Sequence, residues 1–188
     1  MKRLDLVVGP NGAGKSTFVE FTLAPLLPGS SFVNADEIAK QRWPNDVASH
    51  AYDAARVAAE TRAKLIELGA SFIAETVFSH PSKLELIDAA CAAHYTVFLH
   101  ILLIPEGLAI ERVRAGGHHV PENKIRERYQ RLWGLVAAAI IRCDSATVYD
   151  NSGLKGPRIA AQVNDGFCIE SPGWPAWAPD VLRSACTV

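Results

Sequence analysis

Short apolar runs alternate along this chain with longer stretches whose apolar residues recur at helical spacing. Leu4-Asp5-Leu6-Val7-Val8 reads as a short buried strand and Ser16 to Leu27 as a helix. After a turn at Pro28-Gly29-Ser30, Ser31-Phe32-Val33-Asn34 predicts a second strand, and a helix follows from Glu37 toward Trp43. Asn45 or Asp46 then opens a long helix to about Leu68, with Val47, Ala51, Ala54, Ala55, Ala58 and Leu65 spaced for one buried face and with Arg56 and Arg62 assigned to solvent. Gly69 ends that helix. Ala70-Ser71-Phe72-Ile73-Ala74 is a third strand leading into Glu75-Thr76, and a further helix starts between Ser79 and Ser82, with Pro81 in its first turn. Tyr95 to Leu103 is almost continuously apolar, as expected of a strand covered on both faces. His100 inside it reads as a satisfied core histidine.

From Pro105 the pattern becomes cationic. A helix through Leu108, Ile110 and Val113 carries Glu111, Arg112 and Arg114; Ala115-Gly116-Gly117-His118-His119-Val120-Pro121 breaks it, and a second helix runs from Glu122 to about Arg142 with Lys124, Arg126, Arg128 and Arg131. Two readings of this region stay open: a cationic lid over approximately 105–130, or two solvated helices with pairs such as Glu122 with Arg126 and Glu127 with Arg131. His118 and His119 line the hinge but lack a third ligand for zinc. Ala146-Thr147-Val148-Tyr149 is a fifth strand, and Arg158 to Val163 with Phe167 to Glu170 forms a hairpin at Asn164-Asp165-Gly166. The tail, 171–188, is expected to be irregular and aromatic, packed on the surface of a single domain spanning 1–188.

Composition narrows the class. With 188 residues, 49% hydrophobic and 21% charged, the chain has the material for one ordinary core. A formal net charge of -1 gives no global field to recruit nucleic acid or a membrane, so an anionic ligand must be caught locally. The apolar run behind Met1-Lys2-Arg3 stops at Gly9, too short for a signal peptide or a spanning helix, and a cytoplasmic location is the expectation. Cys91, Cys143, Cys168 and Cys186 are scattered and read as free thiols.

The candidate chemistry starts at Gly9-Pro10-Asn11-Gly12-Ala13-Gly14-Lys15-Ser16, which satisfies G-x-x-x-x-G-K-[ST] between a strand and a helix. In that context backbone N–H groups converge on an anion at the positive end of a helix dipole, Lys15 reaches the β- and γ-phosphates of ATP or GTP, and Ser16 holds Mg²⁺. Asp36 follows the second strand on the edge where open parallel sheets keep their ligands, although an Asp at that place also suits a helix cap. Glu75 repeats the arrangement at the third strand. Alternating strands and helices with a phosphate loop after the first strand imply a three-layer α/β domain with a mostly parallel sheet. The loop also fits the ATPase subunit of an ABC transporter, or a nucleotide-binding module without transfer activity. Against the former, the chain has no Leu-Ser-Gly-Gly-Gln signature and no apolar run ending in Asp-Glu.

Beyond the loop, four segments carry a family resemblance from Leu4 to about Ser152. They are Asn34-Ala35-Asp36-Glu37-Ile38, Phe72-Ile73-Ala74-Glu75-Thr76, the run from Gly116 to Pro121 followed by Ile125-Arg126-Glu127-Arg128-Tyr129, and Tyr149-Asp150-Asn151-Ser152. In these the chain resembles the zeta toxin family of small-molecule kinases. The resemblance implies a P-loop kinase fold with a helical lid, and transfer of the γ-phosphate of a nucleotide to a hydroxyl of a small molecule such as UDP-N-acetylglucosamine. A small antitoxin is the implied partner. By the same resemblance Asp36 is the general base, Glu75 and Thr76 belong to the substrate site, and Arg112 is a lid cation, with Arg114, Asn151 and either Arg126 or Arg128 joining Gly9 to Thr17 around the nucleotide. The well-known toxins place an arginine close behind the carboxylate matched by Glu75; here Val77-Phe78-Ser79-His80 offers none.

Overall fold

A computed structural model describes residues 1–116 and 120–185. The sequence elements that fall on 117–119 and 186–188, including His118, His119 and Cys186, lie outside the described residues.

The strands are β1 (Arg3–Val8), β2 (Ser31–Asn34), β3 (Phe72–Thr76), β4 (Thr96–Leu103), β5 (Ser145–Asp150), β6 (Arg158–Asn164) and β7 (Phe167–Cys168). They form one sheet in the order β2-β3-β1-β4-β5-β6-β7. The first five run parallel, and β6 and β7 return antiparallel as the expected hairpin. β1 therefore lies inside the sheet, flanked by β3 and β4. Its residues are buried on both faces: Leu4, Leu6 and Val8 join one apolar cluster and Val7 another. This is the period-two alternation of a strand covered by helices on each side.

The helices are α1 (Lys15–Phe18), α2 (Ala35–Arg42), α3 (Ala51–Leu68), α4 (Ser82–Ala92), α5 (Glu106–Ala115), α6 (Glu122–Ile140) and α7 (Asp180–Ala185). Four sequence expectations are corrected. The helix expected over Ser16–Leu27 is α-helical only to Phe18; it widens to a π-helix over Val19–Leu23 and tightens to a 3₁₀ turn over Ala24–Leu26. Pro25 has no N–H to close an α-type bond on Phe21, so the regular ladder cannot continue. The long helix begins at Ala51 rather than Asn45 or Asp46, because the Asp46 amide closes a turn on the Trp43 carbonyl and the Trp43 ring stacks on His50 at 4.7 Å. Arg62, expected in solvent, is only 5% exposed. The tail is not wholly irregular: α7 packs on α6 and buries Leu182 completely.

Among the described residues no helix is long and apolar enough to cross a membrane.

Candidate nucleotide and phosphoryl-transfer site

β1 delivers the chain at Val8 into the glycine-rich loop, at the carboxyl edge where β3 and β4 diverge on either side. Two glycines set the loop's path. Gly12 has φ 74°, and a Cβ there would lie 2.9 Å from the Ala109 carbonyl oxygen on α5. Gly14 has φ 82°, and its Cβ would lie 2.8 Å from the Asn151 amide nitrogen. Both conformations favour glycine, and both neighbours need the missing atom. Asn151 itself donates through Nδ2 to the Ala13 carbonyl at 2.8 Å, and its backbone N–H donates to Leu103 at 2.9 Å. It thereby ties the loop to the ends of β4 and β5.

Lys15 opens α1 with its side chain almost wholly buried, and its Nζ donates to the Pro10 carbonyl at 2.9 Å. Burial pushes the ammonium below its ordinary pKa; the charges of Glu75 and Asp36 oppose that shift, and Arg128 adds to it. Lys15 thus senses one group each from β3, α2 and α6. Ser16 Oγ donates to the Glu75 carboxylate, at 2.9 Å to Oε2 and 3.2 Å to Oε1. Asn34 Nδ2 donates to the same Oε2 at 2.7 Å. The register makes this possible, since Glu75 pairs with Asn34 on one side and Val7 on the other.

Asn34 also settles the capping question. Its Oδ1 accepts from the Asp36 amide at 2.7 Å and the Glu37 amide at 3.4 Å, so Asn34 is the cap of α2 and Asp36 sits exposed in the first turn. The capping alternative for the Asp36 side chain is thereby corrected. Thr76 Oγ1 accepts from the Phe78 amide at 3.3 Å, turning it toward its own loop.

The cations divide. Arg112, on the face of α5 against the loop, donates to the Gly12 carbonyl at 3.5 Å. Arg128 is partly buried and contributes to the field at Lys15. Arg114 pairs with Glu122, while Arg126 bonds Glu122 at 2.8 Å and Glu106 at 3.3 Å on the exposed side. The pair of Glu122 with Arg126 is therefore found as expected, whereas Arg131 donates to the Glu127 carbonyl instead of its carboxylate. Thr17 lies exposed on α1 beside Ser16.

Two features escaped sequence reading. Asn34 is both cap and clamp, and its position one residue before an acidic helix start was the available signal. Arg3 reaches back to Asp5 rather than into solvent, at 2.6 and 2.7 Å. His100, expected as a core histidine, is buried and completes that group through Nε2 at 2.9 Å from Asp5 Oδ1.

The residues fit a nucleotide with Mg²⁺. The loop turns through left-handed conformations at Gly12 and Gly14, a buried ammonium bonds back to it at Pro10, and the hydroxyl and carboxylate at Ser16 and Glu75 are hard oxygen donors. Among the described residues no group of three or more His, Cys, Asp or Glu is arranged to hold a metal on its own.

The AAA domain family model matches residues 4–133, from β1 into α6. No curated protein matches the chain in sequence. Among solved structures, one from the PezAT chromosomal toxin-antitoxin system of Streptococcus pneumoniae aligns with a TM-score of 0.65 at 14% identity, over 100% of this chain and 78% of that one. The native complex of AvrRxo1-ORF1 with ORF2 gives a TM-score of 0.71 at 14% identity, over 98% of this chain and 63% of that one. The same pair with ATP gives 0.67 at 15% identity, over 88% and 59%. The chain thus spans about three-fifths of the AvrRxo1 chain length. At these identities the likeness is one of fold, and the α/β fold with a mostly parallel sheet and a phosphate loop after the first strand, expected from the sequence, is the fold found.

Proposed function

This chain belongs to the AAA domain family, and from that premise we propose that it is a kinase transferring the γ-phosphate of ATP or GTP to a hydroxyl of a small molecule, with a nucleotide sugar such as UDP-N-acetylglucosamine as the candidate acceptor. The observation that carries this reading is the bridge made by Glu75. Its carboxylate joins Ser16 of the phosphate loop to Asn34 at the end of β2, so the loop and the edge bearing Asp36 form one site.

In this reading the loop amides and Lys15 bind the β- and γ-phosphates, and Arg112 and Arg128 approach from the α5 and α6 side. When bound, the nucleotide would supply the phosphoryl group, and Mg²⁺, which Ser16 would hold, would spread the developing charge. Glu75 fixes the Ser16 hydroxyl. Asp36 accepts the proton of the acceptor hydroxyl as its oxygen bonds to phosphorus and the bond to the leaving diphosphate breaks. Burial of Lys15 removes water from the charge it meets, which strengthens that interaction. A cytoplasmic location and a small protein antitoxin belong to the same proposal, the latter supported by the toxin-antitoxin description of the pneumococcal structure.

The test is to incubate the protein with Mg-ATP and a metabolite extract and to search for phosphorylated products by mass spectrometry. Wild type is expected to form one. Asp36→Ala is expected to bind ATP normally and to lose transfer by ~10²- to 10⁴-fold. No product from wild type, or near-normal transfer by Asp36→Ala, overturns the assignment.

A further inference from the structure

The helix that presses on the glycine-rich loop is short and charged at both ends. α5 has ten residues and buries Ala109, Ile110 and Val113. A Cβ at Gly12 would lie 2.9 Å from the Ala109 carbonyl oxygen and 3.1 Å from the Arg112 Cβ, and Arg112 donates to the Gly12 carbonyl at 3.5 Å. The place of α5 therefore sets the place of the loop. Its two end charges are taken up by α6. Arg126 Nη1 donates to Glu106 Oε2 at 3.3 Å, while Nη2 and Nε donate to Glu122 Oε1 at 2.8 and 3.1 Å. Arg114 donates to the other oxygen, Glu122 Oε2. Four charges of alternating sign thus run from Arg114 in the last turn of α5, through Glu122 and Arg126 at the start of α6, back to Glu106 at the start of α5.

An isolated exposed ion pair contributes little. This chain of charges differs in two ways. Glu106 Oε1 is buried with no partner among the described residues, so loss of Arg126 would leave a partly buried carboxylate without its countercharge. The two helices also share a core: Ile125, next to Arg126, joins Ala109, Ile110 and Val113 in one buried cluster, and Tyr129 Oη donates to the Ile104 carbonyl just ahead of α5 at 2.9 Å. Burial, with the Glu106 charge adding to it, pushes that hydroxyl up to about 12. Apolar packing brings α5 and α6 together, and the charges fix their offset. Arg126 and Arg128, two residues apart, point roughly 200° apart around the helix, so both cannot face one ligand. We infer that Arg126 is a positioning residue rather than a phosphate ligand: with Arg114, Glu106 and Glu122 it forms an ionic clamp that sets α5, and through α5 the glycine-rich loop, for nucleotide binding. The identity of that ligand rests on the kinase reading above.

Mg-ADP is the probe, and its Kd by calorimetry is the readout. Arg126→Met and Glu106→Gln are each expected to weaken binding ~3- to 10-fold. The double variant should be no weaker than the worse single one, because both changes break the same link. Arg126→Lys keeps the charge without the fork and should fall between wild type and Arg126→Met. If Arg126→Met does not fold, Glu122→Gln, which loosens the links to both arginines, takes its place. A phosphate ligand would behave otherwise: Glu106→Gln would free Arg126 and leave binding unchanged or tighter while Arg126→Met weakened it. That pattern overturns the clamp, as do full additivity in the double variant and an Mg-ADP affinity that ignores both substitutions. The two readings fail separately, since calorimetry reads binding and not transfer. Absence of any transfer product removes the kinase and leaves the clamp, whereas an active kinase whose Mg-ADP affinity is unchanged by Glu106→Gln removes the clamp and leaves the kinase.

Discussion

Asp5 is 1% exposed in the strand that feeds the phosphate loop, and it stays ionised there. Burial alone would raise its pKa, but hydrogen bonds from Arg3 and His100 outweigh that and hold the carboxyl below its ordinary value of 3.8. If Asp5 is ionised, His100 must donate through Nε2, and its ring then stands 5.7 Å from Phe18 and 6.3 Å from Tyr149. Phe18 follows Lys15 and Ser16 on α1, so that ring contact joins this buried group to the helix the loop leads into. Its stability has a defined pH signature. A carboxyl whose folded pKa is depressed contributes fully above its unfolded value and loses that contribution as pH falls through the folded one. Asp5→Asn is therefore expected to cost about 2–3 kcal/mol near pH 7 by urea denaturation. The gap to wild type should narrow only as pH falls below 3.8. A gap that does not change with acidification would mean that charge has no part in the pairing.

At the scale of elements, the end of β2 and the start of α2 depend on one amide side chain used at both ends. Asn34 Oδ1 caps the helix and Asn34 Nδ2 holds Glu75, so two substitutions separate its roles. Asn34→Ala is expected to cost ~1–2 kcal/mol of stability from the lost cap. Asn34→Asp caps as well as asparagine and should recover most of that stability, but it cannot donate to Glu75 and sets a second carboxylate against it. Transfer activity in Asn34→Asp is accordingly expected to stay low while its unfolding midpoint returns. Recovery of both would show that the clamp on Glu75 is dispensable. The same segment shows what sequence does and does not contain. An Asn before Ala35-Asp36-Glu37 is a readable cap by its chemistry, and the apolar runs of β1 and β4 were readable because both of their faces are covered. The π-helical widening ahead of Pro25, the late start of α3 and the burial of Arg62 depend on what meets those residues in space. Charge type alone sends Arg62 to solvent, whereas its place behind Ala54 and Ala58 on the buried face of α3 takes it inside.

For the molecule as a whole, the parallel order β2-β3-β1-β4-β5 brings Glu75, Asn34 and the glycine-rich loop to one edge, although they are separated by long stretches of chain. Alternating strand and helix patterns implied that sheet, while the order of its strands follows from which pairs align: Glu75 meets Asn34 only because β3 lies between β2 and β1. The far end is closed differently. The tail packs on α6, where Trp174, Trp177 and Leu182 join the same cluster as Leu132, Val136 and Val148. Leu182 is 0% exposed, so α7 is part of the core rather than an appendage. Leu182→Ala should destabilise by about 2–5 kcal/mol, the range for a buried leucine leaving a cavity. Chemical denaturation is expected to show a lower midpoint with an unchanged slope, since the folded surface is nearly the same. Because α6 also carries Arg128 toward Lys15 and bonds through Tyr129 Oη to the Ile104 carbonyl at 2.9 Å, loosening α7 should weaken Mg-ATP binding in step with stability. A Leu182→Ala protein that unfolds earlier yet binds Mg-ATP as wild type does would show that α6 holds its place at the loop without support from the tail.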